Sequence, residues 1–145
     1  MSEMSKNNTL QVYIVSAERQ IYAGLAQMVN ISGEMGELGL APGHSPLLTC
    51  IKPGGVRVRE PGKEEDIFYV SGGILEVQSS TVTVLADTVV RATDIDETAA
   101  IEAKDRAEKA LADRKSEVEY ANALIELARA TAQLRAIKDL RKRVK

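Results

Sequence analysis

Residues 67–85 read IFYVSGGILEVQSSTVTVL, in which short apolar runs alternate with pairs of small turn residues. β-Branched and aromatic side chains recurring over four to six residues predict β-strands, and paired glycines or serines predict the reversals between them. Strands joined by such short turns pair in an antiparallel sense. The predicted strands are Ile67–Val70, Ile74–Gln78 and Thr81–Leu85, and the predicted turns are Gly72-Gly73 and Ser79-Ser80.

The same pattern extends toward the N-terminus. Leu10, Val12 and Ile14 alternate with polar or amphipathic residues, and Val56 and Val58 alternate with arginines, which indicates strands with one wet and one dry face. Turns are predicted at Gly33–Gly39, Pro42-Gly43, Pro53–Gly55 and Pro61-Gly62. Many short strands at such spacing predict an antiparallel β-sandwich or flattened barrel over residues 1–90.

The chain changes character near residue 91, because all ten Gly and all four Pro precede it. Asp94 with Glu97, and Ser116 with Glu119, have the form of capping boxes and predict two helix starts. A polar break at 113–115 separates the helices, so residues 91–145 are predicted to form an antiparallel two-helix hairpin. The fold class is therefore β followed by α.

The predicted hairpin has little to hold it together. Its first helix carries a stripe of small side chains that includes Ala99, Ala103 and Ala107, which bury little apolar area. Two thin helices joined by such a seam are marginal when alone. The hairpin is therefore expected to lie on another surface and to act as a mobile appendage.

Composition excludes several classes of function. The chain has 145 residues and a net charge of −2, with one Phe, four Tyr and no Trp, which disfavours a nucleic-acid binder. The polar start is not a secretory signal and no apolar run is long enough to span a membrane, so we expect a cytosolic location. Cys50 stands among Leu47, Leu48 and Ile51, which predicts a buried thiol.

Motifs for chemistry are few. One His and one Cys cannot make a metal site of the usual spacing, and no cofactor is expected. His44 beside Ser45 raises nucleophilic catalysis as a weak hypothesis, but no nucleophile elbow accompanies them. No phosphate-binding glycine motif is present, and Glu34 and Glu37 in the glycine-rich stretch would repel phosphate, so a tight turn is expected there.

The C-terminal end is strongly cationic. From Arg129 onward seven basic residues stand against the single acid Asp139. Cations at a helix C-terminus suit the macrodipole, so a solvated helix end is one interpretation. The other is a docking tip for an acidic protein surface, with anionic lipid or nucleic acid as lesser options.

Five stretches resemble a known family. Residues 33–48 (GEMGELGLAPGHSPLL), 69–77 (YVSGGILEV) and 82–87 (VTVLAD), with Val15–Glu18 and Tyr22–Gly24, resemble the epsilon subunits of bacterial F-type ATP synthases. The resemblance implies a non-catalytic rotor subunit of a proton- or sodium-driven synthase, peripheral on the cytoplasmic face of the bacterial inner membrane. Its implied partners are the gamma subunit, the polar loops of the c-subunit ring, and the alpha/beta catalytic subunits.

The resemblance also implies roles for particular residues. Ser16, Glu37 and His44 match gamma or c-ring contact positions. The hairpin is implied to be an arm that restrains ATP hydrolysis when extended, with its inhibitory cations at Arg135, Lys138, Arg141, Lys142, Arg143 and Lys145. Some family members bind ATP, and Asp96, Arg106 and Arg129 match that site. The chain departs from the motif at Ala99 and Gln133, so we expect ATP to bind weakly or not at all.

An alternative class stays open at the level of sequence. An unrelated β-sandwich adaptor with a coiled-coil interaction arm would share the composition and the two-part organisation.

Overall fold

The computed structural model describes residues 8–33, 35–113 and 116–144, and the side chains of Arg143 and Val144 are not described. It contains nine strands, a 3-10 turn at Ala92–Asp94 and two helices. The strands are β1 (Leu10–Ser16), β2 (Gln20–Ala26), β3 (Met28–Gly33), β4 (Gly36–Leu40), β5 (Leu47–Arg59), β6 (Asp66–Val70), β7 (Gly73–Gln78), β8 (Thr81–Ala86) and β9 (Val89–Arg91). The helices are α1 (Glu97–Asp113) and α2 (Glu117–Val144).

The strands form one curled sheet in the order β2-β1-β8-β7-β5-β3-β4, and β6 pairs with both β5 and β9. All the strand pairs are antiparallel except β1 with β8, which are parallel. The fold class and the strands predicted at 67–70, 74–78 and 81–85 are confirmed.

The long strand β5 gives the sheet its curl. Its first part pairs with β7, and its second part lies between β3 and β6. The turn predicted at Pro53–Gly55 is wrong, because the strand bends there without ending. Pro53 has no N–H to donate to a ladder, and glycines allow a close bend, so one strand serves both layers. The turn predicted at Gly33–Gly39 is also too long, since β4 begins at Gly36.

The core lies between the two layers and contains no buried residue from α1 or α2. Its largest fully buried side chains include Phe68, Leu10, Ile14 and Leu75. Gly73 allows β7 to approach β8, because a Cβ there would lie 2.0 Å from the backbone oxygen of Leu85 and the residue has a φ of +152°. A larger residue at this position would push the two strands apart.

The helices form an antiparallel hairpin, which we call the arm, and α2 lies across β5 and β6. Ile67 and Tyr69 on the outer face of β6 pack against Ala132 and Ala136 of α2. Strand β6 is therefore covered on both faces, by the core and by the arm. Among the helices in the described part of the chain, none has the length and apolar composition that a membrane span requires.

The first helix begins two residues later than the sequence pattern predicted. The N–H of Ala99 donates to Oδ1 of Asp96 at 3.1 Å, so Asp96 is the N-cap. Asp94 instead ends the 3-10 turn, and the extended Ile95 packs against the cluster between arm and sheet. In α1 the buried alanines are Ala100 and Ala107, and Ala99 is exposed. The second predicted N-cap is confirmed, since the N–H of Glu119 donates to Oγ of Ser116 at 3.1 Å.

Candidate functional site

A row of apolar side chains, all exposed except the half-buried Val15, crosses the outer face of the sheet. Strand register places Val15 opposite Leu85, Leu85 opposite Ile74, and Ile74 opposite Cys50 on four neighbouring strands. Leu48 stands two residues before Cys50 on the same face and is 70% exposed. We call these five residues the apolar row.

The apolar row arises from strand alternation. In β5, Leu47, Thr49 and Ile51 are at least partly buried, whereas Leu48 and Cys50 point to solvent. The prediction of a buried Cys50 thiol is therefore wrong, because the apolar neighbours in sequence occupy both faces of the strand. Contiguous apolar side chains on the solvent side of a sheet typically mark a protein-binding surface.

Ser16 and His44 lie at opposite ends of this face. Ser16 ends β1 opposite Ala86, while His44 precedes β5 near the end where Leu47 pairs with Val77. The Ser16 hydroxyl donates to the backbone oxygen of Arg19 at 3.2 Å and stabilises the turn between β1 and β2. The structure thus separates two of the predicted contact residues and places the apolar row between them.

His44 is half-buried in the loop between β4 and β5. Its ring Nδ1 lies 2.7 Å from the backbone oxygen of Ser45, and the backbone N–H of His44 donates to the backbone oxygen of Ala41 at 3.1 Å. Both contacts are local and hold the loop. Among the described residues, no group of three or more His, Cys, Asp or Glu side chains is placed to hold a metal ion.

Glu37 lies on the other layer, away from the apolar row. It stands in β4 opposite Ser32, and its Oε1 accepts a hydrogen bond from Nη2 of Arg57 at 3.3 Å. The two side chains line a cleft of about 400 Å³ between the sheet and α2, which Arg135 and Asp139 line from the arm. Glu34, which the sequence places with Glu37 in one glycine-rich stretch, lies outside the described residues.

The predicted cationic tip is largely open to solvent. Its exposed members within the described side chains are Arg135, Lys138, Arg141 and Lys142. Although its side chain is exposed, Arg141 makes a contact within the arm: its Nη2 donates to a carboxylate oxygen of Glu97 on α1. The side chain of Arg143 and all of Lys145 lie outside the described part of the chain.

The three residues that match a nucleotide site are already in use or apart. The Asp96 carboxylate caps α1, and Arg106 donates from Nε and Nη2 to Oε1 of Glu126 at 3.1 and 2.6 Å. Arg129 is exposed. Burial of Tyr69 raises the pKa of that tyrosine, and the positive charge of Arg129 partly offsets this rise. The contacts of Asp96 and Arg106 hold the arm together, and Arg106 is not free to bind a phosphate.

Reasoning from sequence did not predict the contacts that four residues make at these sites, namely Arg57, Tyr69, Glu97 and Glu126. Tyr69 had a signal, because the run Ile67–Val70 lacks the polar alternation of a strand that is covered on one face only. Arg57 had none beyond its place on a wet strand face. The ion pairs of Glu97 and Glu126 span 44 and 20 residues, and no local spacing rule relates residues so far apart.

Comparison with known proteins assigns both parts of the chain. The family model for the ATP synthase delta/epsilon chain β-sandwich domain matches residues 9–92, and the model for its long α-helix domain matches residues 93–138. The ATP synthase epsilon chain of Nitrosococcus oceani is 57% identical over 136 residues, covering 94% of this chain and 97% of that one. The epsilon chain of Halorhodospira halophila is 58% identical over 139 residues, covering 95% and 99%.

Solved structures share the fold at low identity. A chain of the Euglena gracilis mitochondrial ATP synthase OSCP/F1/c-ring assembly superposes with a TM-score of 0.82 at 20% identity, covering 90% of this chain and 82% of that one. A chain of the Tetrahymena thermophila mitochondrial ATP synthase central stalk and c-ring gives a TM-score of 0.60 at 11% identity, covering 88% and 96%. At such identities these likenesses show the fold alone.

Proposed function

The chain belongs to the ATP synthase delta/epsilon family as an epsilon subunit of the F-type central stalk, and from this premise we propose two tasks for it. The β-sandwich couples the gamma subunit to the c-subunit ring. The arm restrains ATP hydrolysis when it extends toward the alpha/beta catalytic subunits. Because the family is established, the alternative of an unrelated adaptor is set aside.

The apolar row carries the first task. Leu48, Ile74 and Leu85 are 70%, 45% and 48% exposed on the face of the sheet that neither the core nor the arm covers. A rotor joint has to transmit torque without slip, and side chains on a rigid sheet hold a partner more firmly than a loop would. We assign this face to gamma, with Ser16 and His44 at its two ends.

Glu37 is our candidate for the ring contact. It is half-exposed, stands beside the turn between β3 and β4, and already pairs with one cation, Arg57. A basic residue in a polar loop of the ring would find the same carboxylate. An exposed pair of this kind adds at most about 1 kcal/mol, so Glu37 would help to orient the ring contact rather than dominate it.

The second task rests on the arm's weak attachment. Among the described side chains of α1 and α2, those that are buried are alanines except for Ile137, and a small apolar cluster joins α2 to β6. The exposed cations of the tip suit an acidic surface on the catalytic subunits. We place the subunit peripherally on the cytoplasmic face of the membrane, within the membrane-associated synthase, with protons or sodium ions as the coupling ion.

We assign no nucleotide to the subunit. Arg106 pairs with Glu126, Ala99 and Gln133 replace two arginines of the family motif, and the Asp96 carboxylate caps a helix. Each missing arginine removes charge-assisted bonds to phosphate worth about 1.5–3 kcal/mol.

Assembly of the purified synthase tests the gamma assignment through Cys50, the only cysteine. In the isolated chain its thiol should react with N-ethylmaleimide, and in the complex the reaction should slow at least about tenfold, because a partner covers the row. A Cys50→Ser, Lys63→Cys chain is the matched control, since Lys63 is exposed on a distant loop and should react equally in both states.

A Leu48→Asp change should weaken binding to gamma at least about tenfold, because it brings a charge into a desolvated contact. Ile101→Asp, on an exposed apolar residue of α1, is the control and should bind normally. Full reactivity of Cys50 in an intact complex, together with normal binding of the Leu48 variant, would exclude this face as the gamma site.

A further inference from the structure

Within the described residues, two ion pairs join α1 to α2. Arg106 of α1 pairs with Glu126 of α2, and Glu97 in the first turn of α1 pairs with Arg141 near the end of α2. The pairs lie about 22 Å apart along α2 at the rise of an α-helix. Between them the buried side chains are Ala100 of α1 and Ala130 and Ile137 of α2, besides Ala132 and Ala136, which pack against the sheet. Ala107 and Ala123 are buried just beyond the Arg106–Glu126 pair.

With so little apolar packing between the helices, the two ion pairs contribute an unusually large share of the stability of the closed arm. Apart from Ile137, these buried side chains are single methyl groups, so opening the two helices exposes a small apolar area for helices of this length. A pair that would be unimportant in a well-packed bundle then contributes a large share of what distinguishes the closed arm from the open one.

Arg141 belongs both to this closed arm and to the cationic tip. A guanidinium that is hydrogen-bonded to Glu97 is not available to an acidic surface elsewhere. We propose that Glu97 is the latch of the arm: it competes with the catalytic subunits for Arg141 and so sets the balance between the compact and the extended arm. This inference rests on the proposed inhibitory function of the arm.

The strength of the latch suits a switch. The side chains of Arg141 and Glu97 are 65% and 39% exposed, and pairs so exposed change an equilibrium by up to about fivefold. That is enough to move an evenly divided arm to about five parts compact in six, and too little to lock it.

The two partners of the latch should therefore behave differently when neutralised. Glu97→Gln removes the competitor and leaves the tip intact, so the extended arm and the inhibition of hydrolysis should both increase. Arg141→Gln also opens the latch, but it removes a cation that the extended arm uses, so its inhibition should not increase.

Hydrogen exchange on the isolated full chain and ATP hydrolysis by the assembled synthase test the proposal. In Glu97→Gln, exchange of the α2 amides from 134 to 142 should rise about two- to fivefold, and hydrolysis should fall by a similar factor. Glu102→Gln is the matched control, because it removes the same charge from an exposed position of α1. It should match the unaltered chain in both measurements.

The Glu97→Gln, Arg141→Gln double variant separates the pair from other effects of Glu97. Glu97 also lies in the first turn of α1, where a negative charge suits the helix dipole. If the pair is the cause, adding Glu97→Gln to Arg141→Gln should raise the exchange rate only by the small amount expected from the helix dipole. Additive effects of the two changes, or exchange in Glu97→Gln equal to that in Glu102→Gln, would overturn the latch.

A synthase that lacks the arm distinguishes failure of this inference from failure of the proposed function. If removal of the arm raises hydrolysis while Glu97→Gln leaves it unchanged, the arm inhibits and Glu97 does not set its balance. If removal of the arm has no effect, the inhibitory function is wrong, and the exchange measurements alone decide whether Glu97 and Arg141 hold the arm closed.

Discussion

Tyr22 and Glu60 join β2 to the end of β5 across 38 residues of sequence. The Tyr22 hydroxyl donates a hydrogen bond to the Glu60 carboxylate, and the Tyr22 ring packs edge-on against Phe68 in the core at 5.4 Å between centroids. Burial, and then the bond to Glu60, raise the pKa of Tyr22, while the same bond and Lys63 lower the pKa of Glu60. The lowered pKa of Glu60, whose largest cause is the bond from Tyr22, shows that this bond favours the ionised carboxylate.

Tyr22→Phe should lower the free energy of unfolding by about 1–2 kcal/mol at pH 7, near the low end for a bond to a charged group close to the surface. A carboxylate with a depressed folded pKa contributes stability above its unfolded pKa and loses it as pH falls through the folded value. The difference in unfolding free energy between the unaltered chain and Tyr22→Phe should therefore become smaller when the pH falls below the ordinary pKa range of Glu. Urea unfolding at pH 7 and at acidic pH measures it.

Glu60→Gln is the control for this prediction, because its amide has no carboxylate charge to lose. In that background the cost of Tyr22→Phe should be smaller and independent of pH. An equal cost at every pH in the unaltered chain would mean that the charge of Glu60 is not involved.

Individual residues differ in how far the sequence predicted their positions and contacts. The alternation of Val56 and Val58 with arginines was visible in the sequence, but extending it along β5 would have placed Leu48 and Cys50 on the core face. The alternation reverses between Ile51 and Gly54, where the strand passes from one layer to the other, so Leu48 and Cys50 face solvent. The partner of Tyr22 was not visible, because only the curl of the sheet brings β2 and the end of β5 together. A contact of that kind depends on the tertiary fold rather than on spacing.

At the scale of elements, the start of α1 shows a local signal overruled by packing. Asp94 with Glu97 has the sequence of a capping box, but Ile95 is extended and packs against the cluster between arm and sheet. A helix cannot begin before a residue held in that conformation, so Asp96 takes the cap. At Ser116 no packed residue intervenes, and the predicted cap holds.

Asp96→Ala should therefore destabilise the arm by about 1 kcal/mol, and Asp94→Ala should change it by less than about half that amount. Thermal unfolding followed by helical circular dichroism, with hydrogen exchange in the first turn of α1, measures the difference. The two substitutions remove the same charge two residues apart, so each controls for the other. A larger loss from Asp94→Ala would show that the sequence pattern, not the observed bond, identifies the cap.

At the scale of the whole molecule, composition predicted the fold class. Loss of Gly and Pro after residue 91 predicted the change from sheet to helices, because those residues interrupt helices and make turns. The same reasoning did not predict where the arm lies on the sheet. That position depends on side chains such as Tyr69 and Ala136, whose meeting no periodicity encodes.

The separate core of the sandwich leads to the last prediction. Deleting residues from Asp94 onward should leave a folded sheet that still assembles, because the main core contains no residue from α1 or α2. Hydrolysis by the assembled synthase should rise. Neutralising the six tip cations should relieve part of the same inhibition, since even about 0.25 kcal/mol per charge sums to roughly a tenfold effect.

Raising salt should imitate the neutralised tip, because contacts between exposed charges are screened over about 10 Å at 0.1 M. The synthase that lacks the arm is the control, and its hydrolysis should show no such relief by salt. The assay is ATP hydrolysis by purified complexes with the full-length, truncated and neutralised subunits. Unchanged hydrolysis after truncation of an intact complex would mean that the arm is a structural clamp, and the cations of α2 would then serve only to stabilise the end of the helix.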